Sequence, residues 1–212
     1  VIAIRGILST MPIRSRSNSD SNSNKRNSID DANKKQKHQQ HKETPHEVLL
    51  EFASVHKNNR VKFAEKKSYM DRLCAAARET DGKWMIFVHP DLIETIWNTI
   101  AKKVTNGELG CSAKVANGLN GRYKDYLICV YVDDFRDEIA VRRTLRSLLR
   151  IKGVNITSGF KPDFFTYLGL YSDKDRNPRC YPNAHKLGVT IYRDMLKEEK
   201  KLLCEERSSS TE

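Results

Sequence analysis

Tyr126-Leu127-Ile128-Cys129-Val130-Tyr131-Val132, closed by Asp133-Asp134, is an uninterrupted run of aromatic and aliphatic residues that reads as the central strand of a sheet. Within it Cys129 is expected to be a small buried core residue, because free cysteine is among the most buried side chains. On its C-terminal side, residues 137–150 place Ile139, Val141, Leu145, Leu148 and Leu149 at helical spacing. Arg142, Arg143, Arg146 and Arg150 fall on other faces, and Gly153 ends the pattern. Asp133 and Asp134 read more simply as a strand end and helix cap than as a metal or acid–base pair.

On the N-terminal side, residues 83–88 (KWMIFV) form a first strand stopped by His89-Pro90. Asp91 then lies in the first turn of a helix whose apolar face holds Leu92, Ile93, Ile96, Trp97, Ile100 and Val104, ending at Asn106-Gly107. Trp97 reads as a core anchor on that aliphatic face. The glycine-punctuated stretch before the central strand predicts a short strand around Ser112–Ala116 and an exposed loop through Gly118 and Gly121.

Beyond a short extended piece at 154–157 comes FKPDFFTYLGLYS, read as a strand entered by a rigid turn at Lys161-Pro162-Asp163. Phe164, Thr166, Leu168 and Leu170 would line one face, and Phe165, Tyr167, Gly169 and Tyr171 the other. A last strand is expected at 189–192. Residues 194–212 hold a charged helix with Met195, Leu196, Leu202 and Leu203 to dock it, followed by a frayed end. This order predicts an α+β domain over 81–193, its sheet covered by helices on one face.

Two amphipathic segments precede the domain, one with Val48, Leu49, Phe52 and Val55 and one with Phe63, Met70, Leu73, Cys74 and Ala77; together they read as a helical arm over 45–80. Residues 1–44 read as a basic, Ser/Asn/Lys-rich disordered tail, because SRSNSDSNSNKRNS and ANKKQKHQQHK offer almost nothing to bury. A hydrophobic share of 38% and a mean hydropathy of −0.65 agree with an unfolded portion. The start VIAIRGILSTMPIR reads poorly as a secretory signal and is too short to span a membrane, while its Arg/Ser content is also that of an organelle presequence. Met11 is an alternative start, which would leave the first ten residues without meaning.

The net charge of +11 favours anionic partners. It is not confined to the tail: residues 83–193 carry eighteen Lys/Arg against eleven Asp/Glu, and residues 1–47 nine against five. Five cysteines without a CxxC pair predict neither a disulfide framework nor a structural zinc site, and no metal or cofactor is expected. No P-loop, dinucleotide fingerprint or Ser-His-Asp order is present, which argues against a nucleotide-driven motor or an ordinary hydrolase.

Taken in order, GKWMIFV, AKV after a Trp-bearing helix, LICVYVDDF, FKPDFFTYLGLY and TIY resemble the uncharacterised basophilic leukaemia-expressed protein family over about residues 81–193, with the tail and first helix outside. The resemblance implies a fold similar to the cap-binding translation initiation factor 4E, a curved antiparallel sheet backed by helices on one face. It implies fold, not function. Cap recognition of that type holds a methylated guanine between two tryptophans, and Trp84 and Trp97 stand in a strand and on a helix face rather than in loops. A second implication comes from relatives described as resembling phosphothreonine lyases. There Lys114 and Lys161 would supply base and clamp, Arg122 or Arg143 further clamps, and Tyr167 or Tyr171 the acid, with His89 more simply a solvated turn residue.

The leading expectation is a non-catalytic module that binds RNA, a nucleotide or another phosphorylated ligand through Lys114, Arg122, Tyr123, Lys161, Tyr167 and Tyr171. Lys114 fits an edge-strand lysine that blocks aggregation equally well. Tyr123 or Tyr126 could stack a base, and Tyr192 shares the aromatic hydroxyl character of the other tyrosines. The alternatives are the lyase-like enzyme and a protein scaffold whose helical back face, near Trp97, docks a partner. A cytoplasmic location is expected, with the nucleus as a second compartment, and no membrane association.

Overall fold

The computed structural model describes residues 2–5, 42–57, 60–118, 124–171, 181 and 183–209. Apart from Lys42, the described residues belong to one unit, residues 1–8 with 43–212. The candidate residues Arg122 and Tyr123, and all but a few residues of the expected tail, lie outside the described residues.

Among the described residues, five antiparallel strands form one open sheet in the order β1-β3-β4-β2-β5: β1 Ile2–Arg5, β2 Gly82–Val88, β3 Ser112–Val115, β4 Tyr126–Val132 and β5 Lys161–Pro162. The YLICVYV run takes the central position it was expected to take. β1 was not foreseen, since its residues were counted in the tail; Ile2–Arg5 pairs with the outer edge of β3, from Ile2 opposite Val115 to Arg5 opposite Ser112.

Two-residue alternation divides the sheet into unlike faces. Trp84, Ile86 and Val88 of β2, Ile128, Val130 and Val132 of β4, and Ala113 and Val115 of β3 enter the core. Helices cover this face. α3 (Ile93–Thr105) contributes Ile96, Ile100 and Val104, and α4 (Glu138–Leu149) contributes Val141, Leu145 and Leu148. Trp84 fixes α4 to the sheet by donating its indole N–H to the Val141 carbonyl at 3.1 Å. Gly82 leaves room for the Phe160 ring, which a Cβ at that position would approach to 2.1 Å.

α1 (Pro45–Val55) and α2 (Phe63–Ala77), the helices of the 45–80 arm, add Val48, Leu49, Phe52, Met70 and Leu73 to the same core. Thr44 and Glu47 close a capping box at the start of α1, with Pro45 in its first turn. α6 (Arg193–Ser209) docks through Met195, Leu196 and the buried Glu199, which accepts from Arg142 at 2.7 Å and also from Arg146. None of the described helices is long and apolar enough to cross a membrane.

Several sequence expectations need correction. FKPDFFTYLGLYS is not an alternating strand: β5 ends after two residues, and α5 (Phe164–Tyr167) follows. Phe164 and Phe165 are both fully buried, on neighbouring positions of one helical turn rather than on opposite faces of a strand. The Asp163 carbonyl accepts from the N–H groups of Thr166 and Tyr167, so Lys161-Pro162-Asp163 leads into a helix. The strand expected at 189–192 shrinks to one bridge between Phe160 and Ile191, ended by the left-handed Tyr192 (φ +58°). Ile139 is 81% exposed, because it lies about 200° around the helix from Val141. Val55, Phe63, Leu92 and Leu202 also stay exposed. The segment at Pro90–Leu92 is a 3₁₀ turn, with α3 starting at Ile93, and Asp137 rather than Asp133 or Asp134 caps α4, accepting from the Ala140 N–H at 3.0 Å. Cys129 is not a core residue: its neighbours Ile128 and Val130 take the core face, which turns Cys129 to the other, where it is half-buried.

Candidate functional site

On the face of the sheet opposite α3 and α4, the same alternation collects Lys83, Met85 and Phe87 of β2, Leu127, Cys129 and Tyr131 of β4, Lys114 of β3 and Lys161 of β5. Register sets the neighbours. Lys83 stands between Tyr131 and Lys161, and Lys114 lies opposite Cys129. Three lysines are thus gathered from three strands that are far apart in sequence.

Tyr131 is the hub. The Nζ atoms of Lys114 and Lys83 lie 4.7 and 5.3 Å from its ring centroid, within cation–π range. Burial pushes the Tyr131 phenol up, so the ring stays neutral at physiological pH. Lys114 is exposed, whereas Lys83 and Lys161 are buried. Lys83 forms an ion pair with Asp163 and donates to Thr166 Oγ1 at 3.1 Å. Lys161 donates to the Leu170 carbonyl at 3.1 Å and lies 4.4 Å from the centroid of Tyr171. Burial, with the Lys83 cation as the next cause, pushes the Lys161 pKa down to about 8. Burial also raises the Cys129 thiol, which keeps it protonated beside the lysines.

Such a cluster carries more positive than negative charge in a poorly solvated place. Asp163 compensates one ammonium; the remaining positive charge is what an anionic ligand would neutralise. The exposed Lys114 gives that charge an outlet to solvent.

Of the residues expected from sequence, Lys114, Lys161 and Tyr171 belong to this cluster. Tyr167 does not join it by any contact: it stands 77% exposed at the end of α5. Arg143 is exposed on α4, behind the sheet, where it lines a 420 Å³ groove with Ile139, Arg142, Arg146 and Arg150, so it cannot serve as a clamp at Lys161. Tyr192 spends its hydroxyl on the Phe135 carbonyl at 2.7 Å. His89 is an exposed turn residue that accepts from the Asp91 N–H. Asp134 binds Arg136 through both carboxylate oxygens, and among the described residues no His/Cys/Asp/Glu group is arranged to hold a metal.

Lys83, Tyr131 and Asp163 were missed. The signal lay in the parity of KWMIFV: if Trp84, Ile86 and Val88 face the core, Lys83 must share the other face with Met85 and Phe87. The partnership with Asp163 spans 80 residues and could not be read from sequence.

A family model described as "Basophilic leukemia-expressed protein Bles03" matches residues 20–169. The match starts well before residue 81 and ends before 193, so it includes α1 and α2, which the sequence motifs had left out, and stops short of α6.

Proposed function

Since the chain belongs to the family of the basophilic leukemia-expressed protein Bles03, we propose that it is a module that binds a phosphate-bearing ligand, RNA or a nucleotide foremost, on the face of its sheet opposite α3 and α4. The observation that carries this reading is the meeting of Lys83, Lys114 and Lys161 around Tyr131 and Asp163. Three ammonium groups and one carboxylate leave a local excess of positive charge, and the partly exposed Tyr171 ring beside Lys161 suits a stacked base.

We read the fold as that of translation initiation factor 4E, with a curved antiparallel sheet backed by helices on one face, but with a different means of recognition. Trp84 faces the core with its N–H bonded to Val141, and Trp97 lies against the core from α3. These are the chain's two tryptophans, and neither is on the lysine face. A methylated guanine held between paired indoles is therefore not the recognition mode we propose.

The test is thermal stability of the full chain against cap analogues, nucleotides, short RNAs and phosphopeptides. A ligand at a hundred times its Kd stabilises by about 2.7 kcal/mol. Stabilisation by nucleotides or RNA that disappears in Lys114→Glu supports the reading; no shift with any phosphate-bearing compound removes it.

A further inference from the structure

Resting on the phosphate-binding reading above, we infer that Lys161 is a reactive amine, which condenses with the carbonyl carbon of a small phosphate-bearing aldehyde or ketone. The two buried lysines have unequal surroundings. Asp163 and Thr166 both engage Lys83. Lys161 sits beside it in the β2–β5 ladder, and among the described residues its hydrogen-bond partner is a backbone carbonyl, that of Leu170. A lysine desolvated next to a second cation is the arrangement that activates an amine as a nucleophile.

The pKa of about 8 fits that arrangement, with burial the larger cause and Lys83 the second. At pH 7.5 such a lysine has on the order of a hundredfold more free amine than a surface lysine of ordinary pKa. Tyr171, whose ring lies 4.4 Å from Lys161 Nζ, is 39% exposed, so the ring set against the amine itself reaches solvent. Lys114, exposed beside the Tyr131 ring, supplies the grip on the phosphate.

The chemistry balances without a further reactant. The neutral amine attacks the carbonyl carbon to give a carbinolamine; the carbonyl oxygen then leaves as water with both amine protons, and a C=N bond remains. Neither oxidant nor reductant is needed.

The test is labelling of the full chain with substoichiometric pyridoxal 5′-phosphate at pH 7.5, borohydride trapping and peptide mapping, with pyridoxal as the phosphate-free arm. The result expected is label concentrated on Lys161, at least about tenfold above any exposed lysine, absent in Lys161→Arg, and much weaker with pyridoxal. Because mapping is done on the unmutated chain, the test does not depend on the variant folding. Equal labelling of Lys161 by pyridoxal would leave the amine chemistry standing and remove the phosphate grip, which is the failure of the function proposed above. Label spread over exposed lysines with Lys161 unmodified would overturn the inference itself.

Discussion

Lys83 and Lys161 face each other across the β2–β5 ladder, both buried, but Asp163 pairs with Lys83 while Lys161 meets the carbonyl of Leu170. Two like charges at adjacent ladder positions destabilise a sheet unless something else selects them. The arrangement therefore has a measurable signature in stability.

Lys161 has a folded pKa of about 8, below its ordinary value of 10.5. Below pH 8 both folded and unfolded chains are protonated there, and the cost of burying the charge is fully present. Between 8 and 10.5 the unfolded chain binds the extra proton, so stability from this group rises with pH. Lys161→Met is expected to stabilise the fold by about 1–3 kcal/mol at pH 7, with the gain shrinking towards pH 10. Urea unfolding at the two pH values measures it.

Asp163→Asn leaves Lys83 buried without its carboxylate, and a loss of about 3–5 kcal/mol is expected from an ion pair broken on one side. Lys83→Met combined with Asp163→Asn should recover most of that loss. Denaturant titration of the two variants checks both.

How far these residues were legible from sequence depended on distance along the chain. β2, β3, β4, α3 and α4 each announced themselves by local periodicity, and Lys114 stood out as a charge inside a short strand. Cys129 and Ile139 were assigned to the core because they lie within apolar runs, where parity along β4 and the 100° step along α4 turn them away from it. FFTY has strand propensity, yet forms a helical turn that buries Phe164 and Phe165 together, a demand of the core that propensity does not encode. Lys83 and Asp163 meet only because β5 pairs with β2, and β1 forms only because β3 offers a free edge.

Glu199 makes α6 sensitive to acid. Burial pushes its pKa up, but hydrogen bonds from Arg146 and Arg142 outweigh this and leave it lowered from 4.5. Its stabilisation is present above the unfolded value and is lost as pH falls through the folded one. Increased hydrogen exchange over 193–209 as the pH falls below the unfolded value of 4.5, before the sheet loosens, is expected, and Glu199→Gln should produce it at neutral pH.

Neither tryptophan should matter for ligand binding. Trp97→Ala is expected to lower stability with ligand affinity unchanged, and Trp84→Phe to cost about 1–3 kcal/mol through the lost indole hydrogen bond and the altered core. Affinity measured in both variants, under conditions where they are folded, tests the separation of core and site.

The most direct test of the central claim is the salt dependence of single-stranded RNA binding by the full chain and by Lys114→Glu, plotted as log affinity against log salt. Each phosphate contact contributes about 0.7 to the slope. A measurable slope is expected, falling by about that amount or more in Lys114→Glu, with weaker binding at every salt concentration. An identical slope and affinity in the variant would place the phosphate contacts elsewhere on the chain and contradict the assignment of the lysine face as the binding site.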